Sequence, residues 1–290
     1  MSGSICTVAQ QTSAAPAYVL GRSEEERGRL IAQSNALQPV TEQVFRRAGI
    51  GPGMSVLDLG CGAGDVSFLA ATLVGPKGAV LGIDNAPAVL AAARNRAADL
   101  GLNQVRFERQ SLETFQETAK FDAVVGRLVL MYQADPVLTL RRAAAWARPG
   151  GILAFHESDM TLGLRSCPTV PLWEQVGEWI AGTFRRGLVD CDIGSRLYAL
   201  FLAAGLPGPA MSHFAVVGGG ARLRGLCRHY EASVKSLLPR MVEYGITTEA
   251  EAQPATLAQR LEEQITARRA QVTSFAMVGA WTTTATRTPG

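Results

Sequence analysis

The residues best suited to bind a ligand are three glycines at alternate positions, Gly60, Gly62 and Gly64, which directly follow the apolar run 56–59. Glycine adopts backbone conformations with positive φ and lets a ligand lie against the main chain. Asp58 stands inside this apolar run, and Asp84 ends a second apolar run twenty residues after Gly64. An acid at that distance from a glycine-rich turn can accept hydrogen bonds from a ribose diol. The spacing therefore indicates a nucleotide-binding turn.

The pattern hydrophobic-hydrophobic-Asp-x-Gly-x-Gly-x-Gly resembles the first motif of the class I S-adenosylmethionine-dependent methyltransferases. The resemblance is specific from about Gly51 to Asp159 and looser in the helices before it. The chain as a whole is similar to bacterial small-molecule methyltransferases of natural-product pathways. This resemblance implies S-adenosyl-L-methionine as the methyl donor, S-adenosyl-L-homocysteine as the product, and no metal.

The first glycines and the two acids are the predicted contacts of the donor's ribose and amino-acid end. Asp84 can accept both ribose hydroxyls in charge-assisted hydrogen bonds. Alternatively, Asp84 or Asn85 caps the helix that follows, and both roles can hold together. Gly60 and Gly62 provide the close backbone approach. Asp58 fixes the loop or meets the donor's ammonium through water, unless it is only a buried capping carboxylate.

The adenine and carboxylate contacts are predicted from the position of residues in the family pattern. Ser111 stands where the family usually has an Asp that accepts from the adenine amino group, so adenine recognition is expected to use the backbone of Leu112 and apolar walls. Arg127 is expected to pair with the donor's carboxylate, or else with a protein carboxylate. Tyr18 either covers the cofactor or staples the start of a helix.

Methyl transfer from a sulfonium is an in-line displacement, and much of its acceleration comes from alignment of the reacting atoms. An oxygen or nitrogen acceptor also calls for a general base. The candidates are His156 and Glu157, predicted to end the fifth strand and to point to opposite faces, with His213 and His229 in reserve. Each histidine has an alternative role as a hydrogen-bonded structural residue. The sequence does not decide among them.

The elements that must position these residues alternate between strand and helix from residue 54 onward, which predicts a mostly parallel, doubly wound α/β sheet of seven strands. Five strands are predicted first, with a sixth from His213 to Val217 and a seventh from Ser274 to Thr282. Helices are expected between them, including a short turn of helix near 112–118. The first five strands are at 54–60, 79–84, 104–109, 121–126 and 151–157, and the main helices are at 23–34, 39–48, 65–74, 86–100, 136–147, 193–204, 222–243 and 254–270.

The chain is predicted to be one domain with helical additions, in four segments: a flexible arm over 1–22, a cofactor-binding core with N-terminal cover helices over 23–160, a helical substrate lid over 161–210 and a C-terminal completion over 211–290. An amphipathic helix of the lid carries Pro168, and its large aromatic side chains would suit an aromatic or isoprenoid acceptor. The alternative is a structural buttress. The aromatic residues are Trp173, Trp179 and Phe184.

Composition limits the partners. The 47% hydrophobic content can fill a core, yet no apolar run approaches the ~20 residues that span a bilayer. Five scattered cysteines and the absence of a signal-like start predict a cytoplasmic protein without disulfides or zinc. The net charge of +3 argues against nucleic acid as a partner. A homo-oligomer through the N-terminal arm stays open.

Other functions fit the motifs less well. A nicotinamide-dependent oxidoreductase would want G-x-G-x-x-G, and a nucleic-acid base methyltransferase a Pro-Pro motif after the fourth strand, where Gly126-Arg127-Leu128 stands. A non-catalytic S-adenosylmethionine-binding regulatory protein and a quinone-type C-methyltransferase share the cofactor motifs and remain alternatives. We therefore predict methylation of a small, largely apolar metabolite at carbon, nitrogen or oxygen.

Overall fold

The computed structural model describes residues 37–117 and 120–286. Tyr18, the arm over 1–22 and the predicted helix over 23–34 lie outside these ranges. Helix α1 covers 37–48. The later helices are α2 (Asp65–Val74), α3 (Pro87–Asp99), α4 (Pro136–Trp146), α5 (Pro171–Arg186), α6 (Leu197–Ala203), α7 (Arg224–Glu243), α8 (Glu249–Ala252) and α9 (Leu257–Ala267). The strands are β1 (Ser55–Leu59), β2 (Ala79–Asp84), β3 (Val105–Arg109), β4 (Phe121–Arg127), β5 (Ala147–Asp159), β6 (Arg165–Cys167), β7 (Ala210–Phe214), β8 (Val217–Gly219), β9 (Gln271–Thr273) and β10 (Ala276–Thr283).

The main sheet has seven strands in the order β3-β2-β1-β4-β5-β10-β7. The first five are parallel neighbours, whereas β10 runs antiparallel to both β5 and β7. Strand order reverses between β1 and β4, which is the switch point where doubly wound sheets bind ligands at the carboxyl ends of their strands. This topology confirms the predicted Rossmann-like, mostly parallel seven-stranded sheet.

Side chains of the sheet alternate between two cores. Val56 and Val125 point to one core with α1, α2 and α3, and we call this side of the sheet the α1 face. Leu57 and Val124 point to the other core with α4, α5, α7 and α9, which we call the α4 face. Since alternation has period two, Asp58 and Arg127 belong to the α1 face as well. None of the helices in the described ranges combines the length and apolar composition needed to cross a bilayer.

Several predicted boundaries are wrong. The fifth strand does not end at Glu157 but continues to Asp159, and residues 112–114 form a turn rather than a helix. Helix α5 begins at Pro171, after Pro168. The sixth strand predicted from His213 to Val217 is instead two strands, β7 and β8. Strand β8 joins β6 and β9 in a second, three-stranded sheet. Strands of three residues are too short to show a hydrophobic period, so this sheet could not be predicted from the sequence.

The three large aromatic side chains predicted for the lid are buried in the core of the α4 face. Trp173 is fully buried, its ring lies 5.1 Å from that of Tyr230, and its Nε1–H donates to the Thr273 carbonyl at 3.3 Å. Trp179 and Phe184 are also buried. Their side chains therefore stabilise the contact between α5 and α7, and closure of the segment 161–210 over a substrate stays a prediction.

Candidate active site

The glycine-rich loop connects β1 to α2 through three positive φ angles, 62° at Gly60, 52° at Gly62 and 92° at Gly64. A Cβ on Gly60 would lie 2.9 Å from Cγ2 of Val129, and one on Gly64 would lie 2.7 Å from the Phe68 ring. At Gly62 a Cβ would meet no atom within 4 Å. The first and third glycines are thus needed for packing, whereas the Gly62 backbone faces open space that a ligand can enter.

Asp84 ties this loop to the next helix. Its Oδ2 accepts from the Gly62 amide at 3.0 Å, and its Oδ1 accepts from the Ala86 amide at 2.9 Å. The bond two residues ahead is an Asx-type turn rather than the helix cap predicted as the alternative, since Ala86 occupies the N-cap position of α3. Asn85 is exposed. Each carboxylate oxygen of Asp84 keeps a lone pair for a further donor.

Asp58 lies beneath the loop on the α1 face. It is buried, and its Oδ2 accepts from the Ser67 hydroxyl at 2.6 Å. Its Oδ1 is buried without a hydrogen-bond partner among the described residues. Burial raises the pKa of Asp58 to about 7, against the lowering effects of the Ser67 hydrogen bond and the Arg127 charge. The carboxyl group thus joins β1 to α2 through one of its two oxygens.

The turn after β4 closes the site from the other side. Leu128 has a positive φ of 54°, and its amide donates to the His156 carbonyl at 3.0 Å. The amides of Val129 and Leu130 both donate to Oε1 of Glu157, at 3.0 and 2.9 Å. A Cβ on Gly126 would lie 2.6 Å from Cγ1 of Val129. Strand β5 therefore holds the turn in place, and the turn holds Val129 against Gly126 and the glycine-rich loop.

The Glu157 carboxyl group binds the backbone of this turn. Its side chain is fully buried, and its Oε2 has no hydrogen-bond partner in the described part of the chain. Burial raises the pKa of Glu157 to about 7, opposed by hydrogen bonds from the backbone of Leu130, Val129 and Met131. As predicted, it points away from the face that His156 occupies.

His156 lies under α1. Its Nδ1 is 3.0 Å from Oγ1 of Thr41, which also accepts from Nη1 of Arg127 at 3.3 Å. The imidazole is fully buried, and burial, with the nearby positive charge of Arg127, lowers its pKa to about 3. Burial also lowers the pKa of Arg127, while the charges of Asp65 and Asp58 raise it. The Arg127 guanidinium and the Asp58 carboxyl therefore influence each other on one side of the sheet.

His213 and His229 are in different surroundings. His213 is exposed and lines a pocket of about 290 Å³ with Asp159, Ser195 and four other residues. The pocket lies at the edge where β5 and β7 end, which is also the edge of the glycine-rich loop because these strands run in parallel. His229 lies on α7, with its ring 5.3 Å from that of Tyr230, and α7 packs against α5 and α9.

Next to Ser111, the position predicted for adenine recognition, lies an acid that was not predicted from the sequence, Glu113. Ser111 and Leu112 follow β3, and the Ser111 hydroxyl donates to the carboxylate of Glu113. The Glu113 amide in turn donates to Oγ of Ser111 at 3.1 Å. The hydrogen bond from the Ser111 hydroxyl, followed by that from the backbone of Glu113 itself, lowers the pKa of the Glu113 carboxyl. The sequence does show the Glu113 carboxylate two residues after Ser111. Its hydrogen bonds with Ser111, however, are seen only in the structure.

Fold and site together define a class of protein. A sheet with this strand order, a glycine-rich loop after β1 and an acid at the end of β2 form the nucleotide-binding half of a doubly wound enzyme. Residues 50–181 match a family model described as a methyltransferase domain. Residues 50–181 thus carry a methyltransferase domain, on a sheet with the fold of the class I S-adenosylmethionine-dependent methyltransferases.

The relatives agree with this assignment. Aklanonic acid methyltransferase from Streptomyces sp. strain C5 is 39% identical over 36% of this chain and 47% of its own length. A ubiquinone biosynthesis O-methyltransferase from Xanthomonas campestris is 37% identical over 44% of this chain and 52% of its own length. The chain thus spans about half the length of the curated relatives it matches.

Among solved structures, coclaurine N-methyltransferase bound to N-methylheliamine and S-adenosylhomocysteine is similar with a TM-score of 0.51. The match has 16% identity and covers 84% of this chain and 71% of that one. At this identity the likeness supports the fold.

The buried His156 predicts a dependence of stability on acid pH. Its pKa is 6.5 in an unfolded chain and about 3 here, so below pH 6.5 the unfolded state binds a proton that the folded state does not. Stability is therefore lost as the pH falls from 6.5 towards 3. When the pH falls from 7.5 to 4.5, His156 should lower the free energy of unfolding by about 2–3 kcal/mol.

Urea denaturation of the wild type and of His156→Asn at the two pH values measures this cost. Asp58 and Glu157, whose raised pKa values act in the opposite direction, are present in both proteins and cancel. His213→Asn at an exposed position is the matched control. An equal loss of stability in the wild type and His156→Asn would show that His156 is not buried in its neutral form.

Proposed function

We propose that the protein transfers a methyl group from S-adenosylmethionine to a small organic acceptor. The observation that carries the proposal is the hydrogen bond between the Asp84 carboxylate and the Gly62 amide. This bond places a pair of acceptor oxygens beside the open backbone of the glycine-rich loop, where a ribose and its attached amino-acid arm both find partners. The methyltransferase family match over residues 50–181 supports the same reading.

The chain offers a partner for each part of the donor. In this proposal Asp84 accepts from the ribose hydroxyls, and the Gly60 and Gly62 backbone contacts the amino-acid arm. Asp58, which is buried, meets the ammonium through water, and Arg127 pairs with the carboxylate. Ser111, the Leu112 backbone and the neighbouring Glu113 contact the adenine and supply the missing charge.

When bound, the donor supplies an electrophilic methyl group on a positively charged sulfur. The residues of the chain then have to fix the direction of attack, because alignment accounts for much of the acceleration in such a displacement. Glu157 contributes by holding the turn after β4, and His156 contributes by its bond to Thr41. Both are positioning residues in this proposal, since their side chains are fully buried and bonded to the protein.

The acceptor is proposed to lie along the sheet edge, from the end of β4 to the pocket that His213 lines. The pocket combines the apolar side chains of Met211 and Val278 with the polar groups of Asp159, Ser195 and His213. Three strand spacings separate β4 from β7, or about 14 Å. An imidazole on β7 does not reach a methyl group above β4 across that distance. His213 therefore binds the far, polar end of the acceptor and is not the base.

An elongated acceptor with an apolar body and a polar end fits this edge. The two relatives named above act, by their names, on aklanonic acid and in ubiquinone biosynthesis, and this favours an acceptor of that general kind. Methylation on oxygen is the first reaction to test. Natural-product tailoring is our first choice and quinone methylation the alternative. A cytoplasmic location, the absence of nucleic-acid partners and a homo-oligomer through the arm over 1–22 remain proposals.

Donor binding should depend on the Asp84 carboxylate and on no metal. Asp84→Ala should weaken the binding of S-adenosylhomocysteine by about 1.5–3 kcal/mol, the scale of hydrogen bonds to a charged group. Asp84→Asn, which keeps one carbonyl oxygen, should have a smaller effect. Isothermal titration calorimetry with a chelator present measures both.

The matched control is Asp122→Ala at the opposite edge of the sheet. The Asp122 carboxylate also accepts a hydrogen bond from a backbone amide, that of Ser55, at 2.7 Å. Its removal therefore tests whether the loss of any such carboxylate lowers the affinity for the ligand. Asp122→Ala should leave the affinity unchanged. Full affinity in Asp84→Ala, or no binding by the wild type, would contradict the proposed function.

His213 should act on acceptor affinity rather than on the chemical step. Transfer of a labelled methyl group to a panel of phenols and quinols identifies an accepted compound. With that compound, His213→Ala should raise KM about tenfold and change kcat by no more than about threefold, because a lost hydrogen bond to a charged or polar partner is worth about 1–2 kcal/mol.

His229→Ala, on a helix away from the sheet edge, is the companion variant and should match the wild type. A fall in kcat of about 10²- to 10⁴-fold in His213→Ala would identify it as the general base and contradict this assignment.

A further inference from the structure

Four residues form a continuous row across the α1 face of the sheet. Arg127 on β4 is the cross-strand partner of His156 on β5, His156 is the partner of Gly279 on β10, and Gly279 is the partner of Ser212 on β7. Successive partners lie about 5 Å apart, so the row runs from the candidate donor site to the far edge of the sheet.

Helix α1 lies across this row with two side chains. Thr41 is fully buried over the first two members of the row, where its hydroxyl contacts both Arg127 and His156. Val44, one turn further, lies over Gly279, where a Cβ would overlap the valine side chain. Because Gly279 has no side chain, α1 can approach the sheet closely enough for the Thr41 hydroxyl to contact Arg127 and His156.

The hydrogen-bond count at Thr41 Oγ1 fixes the protonation state of the histidine. The hydroxyl has one proton and two lone pairs. The Leu37 carbonyl, 3.0 Å away, can only accept and therefore takes the proton, whereas Arg127 can only donate and occupies one lone pair. The remaining lone pair has to accept from His156 at 3.0 Å. His156 is then the Nδ1–H tautomer, with Nε2 unprotonated.

This arrangement makes Thr41 the common acceptor of two side chains that face it from neighbouring strands. The guanidinium of Arg127 is directed by an oxygen that is itself fixed by the Leu37 carbonyl and by a neutral imidazole. A charged imidazole beside Arg127 would repel it, and burial keeps the ring neutral. Helix α1, an element outside the glycine-rich loop and its acids, therefore contributes to the orientation of Arg127 through the Thr41 hydroxyl.

We infer that Thr41 is a positioning residue for Arg127, and that the hydrogen bond from His156 holds the Thr41 hydroxyl in place, so that α1 tunes recognition of the donor's carboxylate. This inference rests on the proposed function, in which Arg127 pairs with that carboxylate. It predicts that Thr41 affects only ligands that carry the amino-acid group.

Two ligands separate this role from a general contribution to folding. S-adenosylhomocysteine has the amino-acid group, and 5′-methylthioadenosine has the same adenosine and sulfur without it. Thr41→Val should weaken the binding of S-adenosylhomocysteine about 3- to 10-fold, as expected for one lost hydrogen bond. It should change the affinity for 5′-methylthioadenosine by less than about twofold. Thr41→Ser, which keeps the hydroxyl, should restore the wild-type affinity for both.

Thr139→Val is the matched control. Thr139 is also buried on a helix, and its hydroxyl donates to the carbonyl four residues earlier, at 3.1 Å. It lies on α4, on the other side of the sheet, and should leave both affinities unchanged. In an Arg127→Met background, Thr41→Val should have no further effect on S-adenosylhomocysteine, since the side chain that it positions is gone.

The outcomes are distinguishable. If the wild type binds neither ligand, the proposed function fails. If it binds both, but Thr41→Val weakens them equally or not at all, the inference alone is overturned. A further effect of Thr41→Val in the Arg127→Met protein would also overturn it.

Nitrogen-15 NMR of labelled histidine gives a readout that does not depend on ligand. His156→Asn identifies the His156 signals by their loss. The inference requires the Nδ1–H tautomer in the wild type at neutral pH. An Nε2–H tautomer, or a charged ring, would overturn the hydrogen-bond count and with it the role of Thr41.

Discussion

The rest of the site depends on the two backbone hydrogen bonds that Glu157 accepts from the turn after β4. These bonds hold the turn through a residue with positive φ, Leu128, and direct the Val129 side chain back against the glycine-rich loop. Gly60 and Gly126 are both needed because Val129 lies where their Cβ atoms would be. A carboxylate on β5 thus holds the turn after β4 against the glycine-rich loop after β1, at the switch point where the proposed donor binds.

Two adjacent residues of β5 make contacts on opposite faces of the sheet. Glu157 serves the turn on the α4 face, while His156 on the α1 face fixes Thr41 and, through it, Arg127. Both are buried ionisable groups. Burial raises the pKa of Glu157 and lowers that of His156, and each shift favours the neutral form. Perturbed pKa values of this kind also mark catalytic residues, and we propose that here both side chains belong to the scaffold instead. The proposed chemistry is accordingly one of alignment.

The sequence was a good guide to the first half of the fold and a partial guide to the site. Strands β1 to β5 fall close to their predicted positions because their apolar runs are bounded by glycines and acids. Opposite directions for His156 and Glu157 followed from the strand period. The contact between Thr41 and Arg127 could not be predicted, since it depends on how α1 lies across the sheet. The division of the sixth strand into β7 and β8 was equally hidden, because three-residue strands carry no period.

We propose that the edge of the sheet between Asp84 and Arg127 binds S-adenosylmethionine. A crystal structure of the protein with S-adenosylhomocysteine would show this binding mode. We expect ribose hydroxyls within hydrogen-bonding distance of the Asp84 carboxylate, the amino-acid arm against the Gly62 backbone, and the carboxylate on the guanidinium of Arg127. A nucleoside bound away from Asp84, or a donor carboxylate held by groups other than Arg127, would show that this binding mode is wrong.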